Sequence, residues 1–282
     1  MALIYVGSAQ PGEGKTGVAA AIARHLAYSG TPTRLVRLAE DAGGAVSDAA
    51  WFETLDFVPG SAADPMTAIP IPNDGETLVV EGPLATYAGD GKLVVVAEGA
   101  QPASVPAGAS AVVVTGVHGL SGARASEGTP LVIELGEDRA LAGFSVSEIQ
   151  AVLNAEVLVS GEGDPTSDHL VIAPISSDAG QPYLLRFPSK AVVVRFDKTD
   201  QHLAAIKAEP NVLILTGGRR PSDYLFDAAG ASGIPVLLSR TDTENTVIAL
   251  EGIFDKTRFH GERKLERMSE LLAGTGLFEA LA

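Results

Sequence analysis

Cysteine is absent from the 282-residue chain, which excludes disulfides, iron–sulfur clusters, thiolate zinc sites and cysteine nucleophiles. Histidine is scarce, and His25, His118, His169, His202 and His260 show no ligand spacing, so no structural metal is expected from them. Basic residues are in the minority. Twenty Lys and Arg against 35 Asp and Glu give a net charge of −15, which argues against a non-specific grip on nucleic acid or anionic membrane. No run reaches the roughly 18 apolar residues of a membrane span, and the chain opens on a strand with no basic segment ahead of an apolar one. The expectation is a cytosolic protein with neither membrane nor nucleic-acid partners. Aromatic residues make up only 5%, while Ala, Gly and Val are abundant, a composition that suits buried parallel sheets.

What the chain does contain is organised around Gly7-Ser8-Ala9-Gln10-Pro11-Gly12-Glu13-Gly14-Lys15-Thr16. An apolar run, Ala2 to Val6, precedes this stretch as a strand, and an alanine-rich run from Gly17 to Leu26 follows it as a helix. Strand, glycine loop, Lys-Thr and helix is the order of a phosphate-binding loop. Backbone N–H groups and the positive helix end hold phosphate oxygens, the Lys adds charge, and the Thr hydroxyl can ligate Mg²⁺. The strict pattern G-x-x-x-x-G-K-[ST] fails at one place, because its first glycine falls on Ala9. Candidate nucleotide residues are Gly12, Gly14, Lys15, Thr16 and Gly17; the plain alternative is a strand-to-helix turn that binds nothing.

Short β-branched runs continue at residues 34–38, 77–81, 92–96, 110–114 and 131–135, reading as buried parallel strands. Parallel neighbours need a crossover of a dozen or more residues, usually helical, yet residues 82–91 and 97–109 are short and rich in Gly and Pro. The expectation is a sheet stripped of covering helices, with part of one apolar face bare. From Phe144 a new series begins. Ser145 with Glu148 marks a helix start; strands are expected at 156–159, 169–172, 183–187, 191–195, 212–216 and 235–238, and helices at 200–208, 222–231 and 244–254. An amphipathic segment closes the chain, with Leu265, Met268, Leu271 and Leu272 on one face. The reading is therefore α/β throughout: a reduced P-loop-type parallel sheet over 1–140, a second α/β domain over 141–258 and a C-terminal helix over 259–282.

The second half carries a resemblance. Glu137-Asp138-Arg139-Ala140-Leu141-Ala142 with Ser145-Val146-x-Glu148-Ile149, then Asp197-Lys198-x-Asp200, Thr216-Gly217-Gly218, Pro221 and Ile234-Pro235-Val236-Leu237-Leu238 with Asp242-Thr243, resemble the DRTGG domain. With a P-loop domain of dethiobiotin-synthetase type in front, the chain is similar to the N-terminal regulatory half of long bacterial phosphotransacetylases, without the acetyltransferase domain. The resemblance implies ATP or ADP with Mg²⁺ at the loop, with Thr115 a further nucleotide-binding residue at the place of the base reader, and a ligand of the second domain near Asp197, Lys198, Thr216, Gly217 and Gly218. Glu81-Gly82 matches the Glu-Gly that follows the third strand of dethiobiotin synthetases. Departures are specific: Lys198 replaces the Arg of Asp-Arg, Arg37 stands where those enzymes place a Lys, Pro83-Leu84-Ala85-Thr86 replaces a glycine-rich segment, and Thr115 stands where an Asn resembles an adenine reader.

Lys15 and Glu81 are the candidates for chemistry, and Thr16 with Glu81 for Mg²⁺, since an acid at a strand end can hold the metal or polarise a substrate. Arg37 could bind an acidic substrate or pair with Asp41. Glu13 has no assigned role. Gly217 and Gly218 amides with Arg219 and Arg220 suggest an anion site in the second half, against a plain βα turn. The expected function is an ATP-binding regulatory or scaffold protein with slow turnover. The alternatives are an ATP-dependent carboxylate- or carbamate-activating enzyme of dethiobiotin-synthetase type, and an interaction module with a relic loop. Self-association as a dimer is expected from the bare sheet face and the terminal helix, and a partner enzyme is a further expectation.

Overall fold

The computed structural model describes residues 2–40, 44–173, 182–254 and 257–282. The chain divides into two compact units, one of Met1–Leu141 with Glu262–Ala282 and one of Ala142–Gly261. In chain order the first unit runs β1 (Ala2–Ser8), α1 (Lys15–Tyr28), β2 (Thr33–Arg37), α2 (Ala45–Glu53), β3 (Thr77–Pro83), β4 (Lys92–Glu98), β5 (Ala109–Val117), β6 (Ala123–Ser126) and β7 (Leu131–Gly136). The second contains β8 (Phe144–Ser145), α3 (Val146–Leu153), β9 (Glu156–Val159), β10 (Thr166–Ser167), β11 (His169–Ile172), β12 (Lys190–Arg195), α4 (Thr199–Lys207), β13 (Val212–Thr216), α5 (Asp223–Ala231), β14 (Val236–Leu238) and α6 (Thr243–Glu251). The chain then returns to the first unit with α7 (Glu262–Ala273) and α8 (Leu277–Leu281).

The first sheet has the order β2-β3-β1-β4-β5-β7-β6, parallel except for the β6/β7 pair. The first strand therefore lies inside the sheet with neighbours on both sides, and its carboxyl end delivers the glycine loop next to the end of β3. Helix α1 packs on β1, β2 and β3. It has little amphipathic character, since Val18, Ala19, Ala20, Ala21, Ile22 and Ala23 are all buried. A helix apolar on every side must be covered on every side, and α7 supplies the outer cover: Leu265, Met268, Leu271 and Leu272 are buried in the contact between α7 and α1. Short α8 lies against β5 and β7, with Leu277, Phe278 and Leu281 buried, and Phe278 stacks on His25 with ring centroids 3.8 Å apart.

These contacts correct the premises for self-association. Residues 82–91 and 97–109 indeed carry no crossover helix, only a 3-10 turn at Leu84–Thr86. The valines are nevertheless buried. On the face bearing Tyr5, Val80, Val95, Val112 and Val114, loop residues Met66, Ile69, Leu84, Tyr87 and Val105 pack as the cover. The other face receives α1, and α8 reaches β5 and β7. The terminal segment is part of the first unit rather than a separate docking helix.

In the second unit the sheet order is β11-β12-β13-β14-β9, parallel except for β14/β9. Alternate residues of β12, β13 and β14 feed two cores. Val192, Val194, Leu213, Leu215 and Val236 meet Ala205, Leu225 and Ala229 on one face, while Ala191, Val193, Val212, Ile214 and Leu237 meet Phe144, Ile149 and Leu250 on the other. The helix expected at Ser145 starts with a full capping box, Ser145 accepting from the Glu148 N–H and Glu148 accepting from the Ser145 N–H. Residues 182–184 are helical and 185–186 form a turn, so the strand expected at 183–187 is corrected; Tyr183 and Leu185 are exposed, leaving no face for a sheet. Helix α2, strand β6 and the two-residue β8/β10 pairing had no counterpart in the sequence reading.

Candidate functional site

The loop between β1 and α1 turns through Gly12 at φ 86° and Gly14 at φ 89°, left-handed conformations that favour glycine. At Gly14 a side chain is excluded twice, since a Cβ would also lie 3.0 Å from Thr115 Cγ2. The Thr115 hydroxyl donates to the Glu13 carbonyl at 2.9 Å. Thr115 thus fixes the loop rather than presenting its hydroxyl as a base reader. Gly14 caps α1, and Lys15, Thr16 and Gly17 form the first turn, whose N–H groups have no acceptor within the helix. Glu13 folds back to accept the Gln10 N–H at 2.9 Å.

Around the helix start the side chains form a buried ionic cluster. Lys15 Nζ lies 3.2 Å from Glu40 Oε2, and the same carboxylate oxygen accepts from Arg37 at 2.8 Å. Arg37 Nε lies 3.3 Å from Glu81 Oε1 and 3.6 Å from Asp48 Oδ2, and the other side of its fork donates to the Leu38 carbonyl. Thr16 donates its hydroxyl proton to Glu81 Oε1 at 2.8 Å. Glu81 is wholly buried, and its Oε2 has no hydrogen-bond partner. Three strands assemble the group: β1 feeds Lys15 and Thr16, β2 ends in Arg37, and β3 carries Glu81 opposite Arg37 in register. Gly82 beside it is a packing requirement, because a Cβ there would stand 2.5 Å from the Tyr5 hydroxyl.

Burial pushes the Glu81 carboxyl up to about 7; Asp48 adds to that, while Arg37, the Thr16 hydrogen bond and Lys15 oppose it. Burial also acts to raise Glu40, but the hydrogen bond from Arg37 and the charges of Lys15 and Arg37 outweigh it and hold Glu40 below the ordinary carboxylate range. Burial acts to lower Arg37, and the charges of Glu81, Glu40 and Asp48 overcome it, so its affinity for the proton is raised. The sequence reading singled out Lys15, Thr16 and Glu81, which the fold brings together, but missed Glu40 and Asp48. The alternative partner Asp41 lies outside the described residues.

At the carboxyl edge of the second sheet, Thr216 is buried and its hydroxyl bonds to that of Thr243 at 2.8 Å. The Gly217 N–H donates to the Thr241 carbonyl at 2.7 Å and the Gly218 N–H to the Ser239 carbonyl at 3.0 Å. Both amides are occupied, which corrects the anion cradle expected from them. Gly217, at φ 99°, is also where a Cβ would meet Phe196 Cδ1 at 2.7 Å. Asp197 is held by Arg195 through two hydrogen bonds of 3.0 and 2.7 Å, and Lys198 is the N-cap residue of α4. Residues 148–253 match the DRTGG domain family.

The second unit contains a DRTGG domain. A solved structure of the CBS and DRTGG domains of the regulatory region of Clostridium perfringens pyrophosphatase, complexed with its activator diadenosine tetraphosphate, is similar at 22% identity; the match covers 40% of this chain and 46% of that one, with a TM-score of 0.34. Within the DRTGG domain, the Thr216-Gly217-Gly218 segment is an architectural turn that ties the end of β13 to the end of β14. Arg219, Arg220 and Arg240 are exposed at that turn, as are Thr241 and Asp242. Among the described residues, no group of three or more His, Asp or Glu side chains is arranged to hold a metal ion, and no helix is long and apolar enough to cross a membrane.

Proposed function

We propose that the protein is a regulatory nucleotide-binding protein, in which ATP or ADP with Mg²⁺ binds at Lys15, Thr16 and the loop amides, and the DRTGG domain is the element read by a partner protein or a second copy of the chain. The observation that carries this reading is the Thr16–Glu81 pair. A hydroxyl and a carboxylate, both hard oxygen donors, meet at 2.8 Å beside the helix N-terminus, and the second carboxylate oxygen is buried without a partner. That donor set fits Mg²⁺. The cation, when bound, would offset phosphate charge; the rest is the work of this chain's residues. Lys15 would bind a phosphate oxygen, the first-turn N–H groups of α1 would orient the group, and Thr16 with Glu81 would hold the cation, Glu81 as the carboxylate with its proton passed to solvent.

Phosphate has to displace Glu40 from Lys15. Glu40 keeps its 2.8 Å bond to Arg37 when it does so, and the released carboxylate is not stranded. Arg37 itself is held by Glu40, Asp48 and Glu81, which leaves no cation there for an acidic substrate and favours a regulatory over a carboxylate-activating role. Thermal shift with ATP, ADP and GTP, each with and without Mg²⁺, tests the reading. At a ligand concentration a hundred times Kd, native-state binding adds about 2.7 kcal/mol. A Mg²⁺-dependent rise with ATP or ADP supports it; no shift with any nucleotide at millimolar concentration makes the loop a relic.

A further inference from the structure

The carboxyl edge of the DRTGG sheet carries a second feature. Strands β12, β13 and β14 are parallel and in register, so the segments after them, residues 195–198, 217–222 and 239–242, emerge on one edge, where open α/β sheets receive ligands. Arg219, Arg220 and Arg240 stand there, exposed. In a chain of net charge −15, most arginines of the first unit are paired with carboxylates. Among the described residues these three have no ion pair. Of the acids at this edge, Asp197 is engaged by Arg195 and Asp242 by the Asn245 backbone and side-chain N–H groups at the start of α6; Asp223, in the first turn of α5, makes no ion pair with any of the three arginines.

Two of the three arginines are also held in place. Arg219 lies over the Phe196 ring with its Cζ 5.7 Å from the centroid, and Arg220 over the Phe226 ring at 4.7 Å. A guanidinium stacked by its face keeps its N–H edges for a planar or tetrahedral anion. The backbone beneath is fixed by the Gly217 and Gly218 hydrogen bonds to Thr241 and Ser239. It also brings Arg240 against Gly218, where a Cβ would lie 3.3 Å from the Arg240 Cα. Three unpaired cations on one edge, two of them stacked on rings, repel one another, and a single carboxylate leaves two of them uncompensated. A ligand with several negative charges in a row compensates all three.

We propose that Arg219, Arg220 and Arg240 form a binding site for an oligophosphate anion at the carboxyl edge of the DRTGG sheet. The site is built by the side chains and not by the Gly217 and Gly218 amides, and it is independent of the nucleotide reading of the first unit. Two sources share this chemistry, a free inorganic oligophosphate and the phosphate chain of a nucleotide.

Calorimetric titration of the full chain with inorganic tripolyphosphate, ADP and adenosine, without Mg²⁺, tests it. Tripolyphosphate is expected to bind with micromolar affinity that weakens as salt is added. Arg240→Gln removes charge without removing a ring contact and should weaken binding at least tenfold; Arg219→Gln with Arg220→Gln should do the same. Lys15→Met should leave this binding intact, which separates the site from the glycine loop. Retention of the ADP signal in Lys15→Met, with none for adenosine, makes the nucleotide's phosphates the recognised group; tripolyphosphate binding alone makes the free anion the ligand. Absence of tripolyphosphate binding up to millimolar concentration would overturn the proposal. So would wild-type affinity in Arg240→Gln, or loss of all binding in Lys15→Met.

Discussion

Glu81→Gln should remove the loss of stability with rising pH that the buried Glu81 imposes. The ordinary glutamate value is 4.5, and in the folded chain Glu81 is pushed up to about 7, chiefly by burial. Below 4.5 both folded and unfolded states hold the proton, and the site costs nothing. Between 4.5 and about 7 the unfolded chain releases its proton while the folded chain keeps it, and stability falls as pH rises. Above 7 the full difference is in place. At about 1.4 kcal/mol per pH unit it amounts to about 3 kcal/mol. Glutamine has no proton to lose, so Glu81→Gln should gain about 3 kcal/mol relative to wild type between pH 5 and pH 8.5. Glu40, held below its ordinary value, acts in the other window: its stabilisation is present above about 4.5 and lost in acid, and both proteins share it. Urea unfolding at half-unit pH steps, followed through Trp51, measures the difference. Parallel curves across that range, or a wild type that gains on the variant as pH rises, would show that Arg37 and Thr16 keep Glu81 ionised and would refute the reasoning.

Two further substitutions test the architecture that positions the sites. Gly217→Ala puts a Cβ 2.7 Å from Phe196 at φ 99°, and the strain and overpacking should destabilise the second unit by about 2 kcal/mol or more in a thermal melt; an unchanged melting temperature would mean that the turn relaxes freely. Leu272→Ala removes a fully buried side chain from α7 and should cost about 2–5 kcal/mol, seen as earlier unfolding by Trp51 fluorescence. Because α7 packs within its own unit, that loss should not depend on protein concentration; a concentration-dependent loss, with a dimer mass in light scattering, would make α7 an interface.

Much of the fold was legible because the strands are short β-branched runs between Gly and Pro, and because Ser145 with Glu148 writes a helix start into four residues. The glycine loop was legible for the same reason, since strand, loop and helix are contiguous. Glu40 and Asp48 were not, because they reach Arg37 from a strand end and a helix, with nothing in their spacing to say so. The place of the terminal helix had a signal that went unread: from Gly17 to Ala23 α1 carries no polar side chain, and a helix segment buried all round requires a cover on its outer side. In the second unit the Gly217 and Gly218 amides resembled an anion turn, and only the register of β13 against β14 shows them occupied by Thr241 and Ser239. Arg240 joins Arg219 and Arg220 through the same register, across some 20 residues of sequence.

The central claim is that Lys15 and Thr16 hold a nucleotide with Mg²⁺. The most direct measurement is calorimetric titration of Mg²⁺-ADP and Mg²⁺-ATP into wild type, Lys15→Met and Thr16→Val, with the three arginines Arg219, Arg220 and Arg240 changed to Gln in every background so that only the glycine loop can respond. Saturable one-to-one binding that is lost in Lys15→Met, and that loses its Mg²⁺ dependence in Thr16→Val, is the result the account predicts. Binding of equal strength in all backgrounds, or none in wild type at millimolar nucleotide, would contradict it.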